Sequence, residues 1–255
     1  MFEEIKKAKD LLVDWLILFV GVGVFFFVFG ILQFTLGDVQ VAVPFPTTQS
    51  FAVLFFKMIE ADLLPLGVTL VATGPMSALN SQILIAFLLS FLVTFPYLLY
   101  RLVRYISPAL YATELKALLV FLFPAVMLFL GGGIFAYFYI IPPTFRALYA
   151  YSINIGATPL FFMEDFVSSV VLFIITVGLL FIIPVFMVLL TFLRILPSQF
   201  WWDNWRYAQL GFLIFSAIIT PDGSGVSMIL LSLPLTGLYA VGALVAQVQQ
   251  KNNFD

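Results

Sequence analysis

Long uncharged apolar runs, fenced by short clusters of charge, set the rhythm of this chain. Taking the charges as boundaries marks off six runs, at approximately residues 11–36, 81–103, 115–141, 166–193, 206–221 and 226–246. Each is expected to be a transmembrane helix. The third is expected to stop at Pro142-Pro143, where two successive backbone donors are missing. The fifth is short. Only fifteen uncharged residues separate Arg206 from Asp222, about 22 Å of helix against a hydrocarbon core of about 30 Å, so local thinning of the bilayer is expected there. The sixth, interrupted by Pro234 and polar from Gln247, is expected to be short as well.

The fold class expected is thus an all-α membrane protein of six transmembrane helices. Pro96, Pro124, Pro184 and Pro234 each remove a backbone donor inside a run, which predicts bent helices forming a concave, cup-like bundle. One domain over residues 1–250 is expected, with 251–255 as a tail. The first run is too long for a signal-peptide core and ends without a small-residue cleavage site, so it reads as a first span.

With an even number of spans, Lys6, Lys7, Lys9, Arg101, Arg104, Lys116, Arg194, Arg206 and Lys251 fall on one side of the membrane. Lys57 and Arg146 fall on the other. That bias puts both termini in the cytoplasm. Two sizeable connections then lie outside. In 38–80, Phe51, Leu54, Phe55, Met58 and Ile59 fall at helical spacing on one face, with Lys57 and Glu60 off it, which predicts an amphipathic helix. Pro142–Asp165 reads as an irregular cap. Neither connection contains a chemical motif, and no internal repeat is evident.

Composition agrees with the pattern. Of 255 residues, 63% are hydrophobic and 9% charged, and mean hydropathy is +1.15. No soluble core hides that much apolar surface. The net charge of −2 gives nucleic acid no footprint. Cysteine and histidine are both absent, which counts against thiol chemistry, Ser–His proteolysis, metalloprotease and haem readings, and so against an enzyme. No cofactor or metal is implied. Asp14, Glu114, Asp203 and Asp222 lie at or near run ends, whereas an ion-coupled carrier places an ionisable group at mid-bilayer. The mid-run polar residues Ser90, Thr94, Thr176 and Ser216 read as helix–helix contacts.

What remains is the polar turn between the second and third runs, where Arg101, Arg104, Glu114 and Lys116 cluster. Glu114, one residue after a potential cap at Thr113, has three readings: a carboxylate favoured by the helix dipole, a partner of Arg104 or Lys116, or an acceptor for an arginine of another molecule. Glu3, Glu4 and Asp10 would extend an acidic patch in the last case. A small-solute transporter or channel and a membrane scaffold without cargo stay open at this point.

The run Phe95-Pro96-Tyr97-Leu98-Leu99-Tyr100, then Ser107-Pro108-Ala109-Leu110-Tyr111, then Glu114, resembles the first cytoplasmic loop of the TatC family. Further matches follow in order: Phe135-Ala136-Tyr137-Phe138 ahead of Pro142, Phe181 with Pro184, Arg206-Tyr207-Ala208, Thr220-Pro221-Asp222 and Leu233-Pro234. The resemblance covers nearly the whole chain. It implies a substrate receptor that binds twin-arginine signal peptides and organises export of folded proteins. It also implies partners: single-span TatA/TatB-type subunits, membrane lipid and further copies of the chain, in the plasma membrane.

Carried over by position, Glu114 is the carboxylate implied to read the arginine pair and Glu4 the second, with Arg104 and Tyr105 beside them. Pro96, Pro142, Pro184, Arg206, Asp222 and Ser227 are implied as structural or partner-contact positions. The chain departs from the family pattern in places. Lys6 and Ala8 replace arginines, Tyr105 replaces a phenylalanine, and Ile182 stands where many relatives hold a membrane-buried Glu or Gln. Ser227 is the nearest polar residue at the start of the sixth run, which leaves two readings open: apolar packing carries the partner contact there, or the chain is a divergent paralogue with an altered role.

Overall fold

A computed structural model describes residues 21, 23–24, 50–64, 68–107, 111–154, 156, 160–220 and 225–252. The first expected span lies outside these, apart from three helical positions, as do Glu4 and Asp222. Two compact units divide the chain. The first comprises Met1–Asp62, Leu70–Tyr111 and Phe161–Val171, and the second Leu63–Thr69, Ala112–Leu160 and Leu172–Asp255.

In the first unit, α1 (Phe51–Leu63) starts at Ser50, a buried cap whose hydroxyl accepts the Val53 N–H at 3.3 Å. The same hydroxyl accepts a bond from the Gln82 side chain of α2 (Ser77–Ile106) at 2.9 Å, tying the two helices. The expected amphipathic helix is therefore present, with a different inner face. Ala52 and Ile59 are fully buried, whereas Phe51, Leu54 and Met58 are exposed. Small Ala52 permits close approach, and the exposed face mixes Phe51, Leu54 and Met58 with Lys57 and Asp62, so hydrophobicity alone did not mark the packed side. Strands β1 (Thr69–Val71) and β2 (Leu160–Phe162) pair into a two-stranded sheet. Asn80 of α2 donates to Glu164 at 3.2 Å, in the acidic first turn of α5 (Met163–Phe181).

The second unit opens with α3 (Ala112–Phe135), which does not stop at the double proline. It passes through a π-helical segment, Ala136–Ile140, into α4 (Ile141–Asn154). The Ile141 N–H reaches the Ala136 carbonyl, five residues back. This widened turn gives the proline rings room against the preceding carbonyls, and Pro142 and Pro143 then occupy the first turn of α4, where missing donors cost least. The continuous apolar helix Leu118–Asn154 has 37 residues, about 55 Å, and outruns the bilayer core. Most of the connection expected to be an irregular cap is thus helical.

Glycines set how closely the helices of this unit approach. A Cβ on Gly178 would sit 2.9 Å from the Phe129 ring, and one on Gly132 would sit 2.8 Å from Phe181. Between α5 and α6 (Ile183–Phe192) the ladder is interrupted at Ile182, as expected ahead of Pro184. There Val185 N–H bonds the Ile182 carbonyl at 2.9 Å and Ile182 N–H bonds that of Leu179 at 3.2 Å. Gly242 of α9 (Val226–Asn252) meets Pro184 so tightly that a Cβ would fall 2.8 Å from its ring.

Two short helices lie between α6 and α9: α7 (Ser198–Asp203) and α8 (Trp205–Ile219). With 15 residues α8 is short as expected, about 22 Å. By contrast α9 has 27 residues, about 40 Å, and is not short. Its polar end, Gln247 to Lys251, is made of good helix formers and continues the helix past the apolar stretch. Among the described residues four helices are long and apolar enough to cross a membrane: Ser77–Ile106, Leu118–Asn154, Met163–Phe192 and Ser227–Lys251.

Candidate functional site

The end of α2 presents aromatic and cationic side chains at helical spacing. Arg101 donates from Nε to the Tyr97 hydroxyl at 2.8 Å, with its guanidinium carbon 5.3 Å from that ring's centre. One turn on, Arg104 and Tyr105 are exposed, Arg104 lying where the helix dipole favours a cation. Ser107 closes the helix: its N–H bonds the Val103 carbonyl, and its hydroxyl bonds that of Arg104 at 2.7 Å. Below this end the helix is stiffened by the ring series Phe87, Phe91 and Phe95, with centres 6.2 and 5.7 Å apart. Pro96 follows, half-buried, and Thr94 donates its hydroxyl to the Ser90 carbonyl at 2.8 Å.

Tyr111 is exposed, and α3 starts at the next residue, which puts Glu114 in its first turn. Lys116 is exposed. Arg104 and Tyr105 belong to the first unit and Glu114 to the second.

A second polar group is buried in the second unit. The Thr144 hydroxyl of α4 donates to the Ile140 carbonyl at 2.7 Å and is hydrogen-bonded to the Ser227 hydroxyl of α9 at 2.9 Å, and both side chains are essentially inaccessible. Pro142 is half-buried two residues before Thr144, and Pro184 and Ile182 are both buried. Beside the Ser227 end of α9 runs an apolar groove of about 380 Å³, lined by Phe135, Tyr139, Ile229, Leu230, Leu233 and Pro234. Of the expected mid-span contacts, Ser90, Thr94 and Ser216 are buried and Thr176 is half-buried. The Ser216 hydroxyl has no hydrogen-bond partner among the described residues.

A network that local pattern did not mark joins α6, α7 and α9. Trp201 donates from Nε1 to the Thr191 hydroxyl at 2.9 Å, and its carbonyl accepts the Tyr239 hydroxyl at 2.7 Å. Arg206 is exposed at the start of α8. The available signal was the type of residue, since Trp and Tyr within apolar helices carry a polar group that needs a partner. Among the described residues there is no cluster of three His, Cys, Asp or Glu. Every carboxylate whose side chain is described (Glu60, Asp62, Glu164, Asp165 and Asp203) is at least partly exposed.

Residues 5–234 match the family model described as "Sec-independent protein translocase protein (TatC)". The "Sec-independent protein translocase protein TatC" of Cenarchaeum symbiosum is 37% identical over 192 residues, 75% of this chain and 73% of that protein. The protein of the same description from Koribacter versatilis is 30% identical over 184 residues, 72% of this chain and 67% of the other. An "uncharacterized tatC-like protein ycf43" of Porphyra purpurea is 28% identical over 228 residues, 89% and 84% of the two chains. In fold, the chain is similar to a crystal structure of the twin arginine translocase receptor TatC, with a TM-score of 0.71 and 23% identity over 96% of this chain and 98% of the other.

Proposed function

The chain belongs to the TatC family of Sec-independent protein translocase proteins, and from that membership we propose that it binds twin-arginine signal peptides and organises export of folded proteins. It is a multi-pass membrane protein of protein transport, not a catalytic enzyme. The observation that carries the proposal is the position of Glu114, in the first turn of a membrane-length helix and ten residues after the exposed Arg104 near the end of α2. A carboxylate at a membrane rim is partly desolvated, and it offers a planar acceptor that matches a guanidinium better than an ammonium.

In this reading Glu114 takes the arginine pair, Glu4 assists it, and Tyr105 and Arg104 contact the peptide alongside. The run at 11–36 is the first of six spans, and both termini face the cytoplasm at the plasma membrane. Single-span TatA/TatB-type subunits dock by apolar packing, which the groove beside Leu233 and Pro234 supports. The paired hydroxyls of Thr144 and Ser227 keep the neighbouring polar atoms occupied within the chain.

The test is equilibrium binding of a twin-arginine peptide and its twin-lysine counterpart to the full chain in nanodiscs, with Glu114→Gln alongside. A preference for arginine that Glu114→Gln abolishes supports the proposal. Equal binding of both peptides by the parent protein overturns it and moves the cargo-free scaffold ahead.

A further inference from the structure

The chain leaves the apolar stretch Met163–Phe192 and re-enters an apolar helix at Trp205. Covalent connection alone therefore holds the intervening segment at a membrane boundary, and that segment contains α7, of sequence SQFWWD. Three of the chain's four tryptophans, Trp201, Trp202 and Trp205, lie here.

Trp201 is turned into the protein. It donates to Thr191 at 2.9 Å, and its carbonyl accepts the Tyr239 hydroxyl at 2.7 Å. The Ser198 N–H donates to Gln250 at 2.7 Å. These three bonds anchor α7 to α6 and α9. On either flank of Trp201, Phe200 is 40% exposed and Trp202 37%, and Trp205 in the first turn of α8 is 41% exposed. Arg194 and Arg206 are exposed at the two ends of the stretch, with Asp203 exposed between them.

Large rings in water forgo burial, and an indole in the acyl core leaves its N–H without an acceptor, so the boundary between the two is where a fixed, exposed tryptophan is most stable. An exposed arginine at that depth meets lipid phosphate, which its planar fork matches. At about 22 Å, α8 is shorter than the hydrocarbon core, which keeps its first turn from standing clear of the headgroups. We propose that α7 and the first turn of α8 form a docking surface for the phospholipid headgroup region, with Trp202 and Trp205 at the level of the ester groups and Arg194 and Arg206 on lipid phosphates. The surface rests on α5–α6 and α8 crossing the membrane and not on signal-peptide recognition, so the peptide-binding test can fail without touching it.

The experiment uses Trp15→Phe protein in nanodiscs of phosphatidylcholine brominated either high on the acyl chain or near its end. Bromine near the headgroup is expected to quench the tryptophan emission about twofold more than bromine near the chain end, with little quenching by aqueous iodide. Adding Trp202→Phe and Trp205→Phe is expected to remove more than half of that quenching, while the remaining Trp201 emission reports an intact fold. Quenching by iodide and not by bromine would overturn the proposal in favour of a solvated loop. Quenching by neither would overturn it in favour of a face covered by protein, such as a second copy of the chain.

Discussion

Gly178 of α5 lies against Phe129 of α3 so closely that a Cβ at Gly178 would stand 2.9 Å from both the ring and the backbone carbonyl of Phe129. Phe129 is wholly buried, so its ring has no direction in which to give way. Gly178→Ala is expected to destabilise by about 1–3 kcal/mol, the usual cost of forcing a methyl group into a packed core. Gly131, two residues beyond Phe129 on α3, has open space around it, so Gly131→Ala is expected to be neutral or slightly stabilising. Thermal unfolding of both variants in detergent checks the pair, and equal losses would mean that close packing is not what Gly178 provides.

The Thr144–Ser227 bond links two helices through hydroxyls that water does not reach. Hydrogen bonds between membrane helices are modest, because the unfolded chain in lipid also finds partners. Coupling of about 0.6–1.7 kcal/mol is therefore expected from a double-mutant cycle of Thr144→Val and Ser227→Ala. Coupling near zero would show the contact to be a coincidence of packing.

Arg194 ends α6 with φ of 57°, the left-handed conformation that helix ends usually give to glycine. The turn is well formed, with the Ile195 N–H bonded to the Leu190 carbonyl at 3.0 Å. Arg194→Gly relieves the steric cost of a Cβ there and is expected to stabilise by about 1 kcal/mol. The readout is again thermal unfolding in detergent. A loss of stability instead would mean that the arginine side chain contributes more than its backbone strain costs.

How much of this was legible differs from element to element. The second, fourth and fifth apolar runs end close to where their helices end, because charge and hydropathy fix those boundaries in the same terms the membrane does. The third was cut short at Pro142-Pro143, since a double proline reads as a stop unless a widened turn precedes it, and the π-helical Ala136–Ile140 leaves no periodic mark. The sixth was cut short at its polar end, since the hydropathy that bounds a span does not bound a helix. On α1 the pattern found the helix and not its packed side. Pairings such as Asn80 with Glu164, or Trp201 with Thr191 and Tyr239, join separate elements and are set by tertiary packing that local pattern does not contain. The candidate site was legible as residue types around a polar turn.

Glu114 separates two explanations that share one position. As a first-turn carboxylate it stabilises α3 through the helix dipole by about 0.3–1 kcal/mol. As a ligand it accepts charge-assisted hydrogen bonds worth about 1.5–3 kcal/mol, roughly 10- to 150-fold in Kd. Glu114→Gln keeps the size and removes the charge, so the helix-start role predicts a small fall in unfolding temperature and unchanged peptide affinity. The ligand role predicts a loss of at least about tenfold for the twin-arginine peptide and a much smaller loss for twin-lysine, which lacks the bidentate fork. Salt adds a second axis. Screening weakens the parent protein's binding as ionic strength rises, and a variant without the carboxylate responds less. Affinity that tracks salt equally in both proteins would move recognition away from Glu114 even if the peptide still binds.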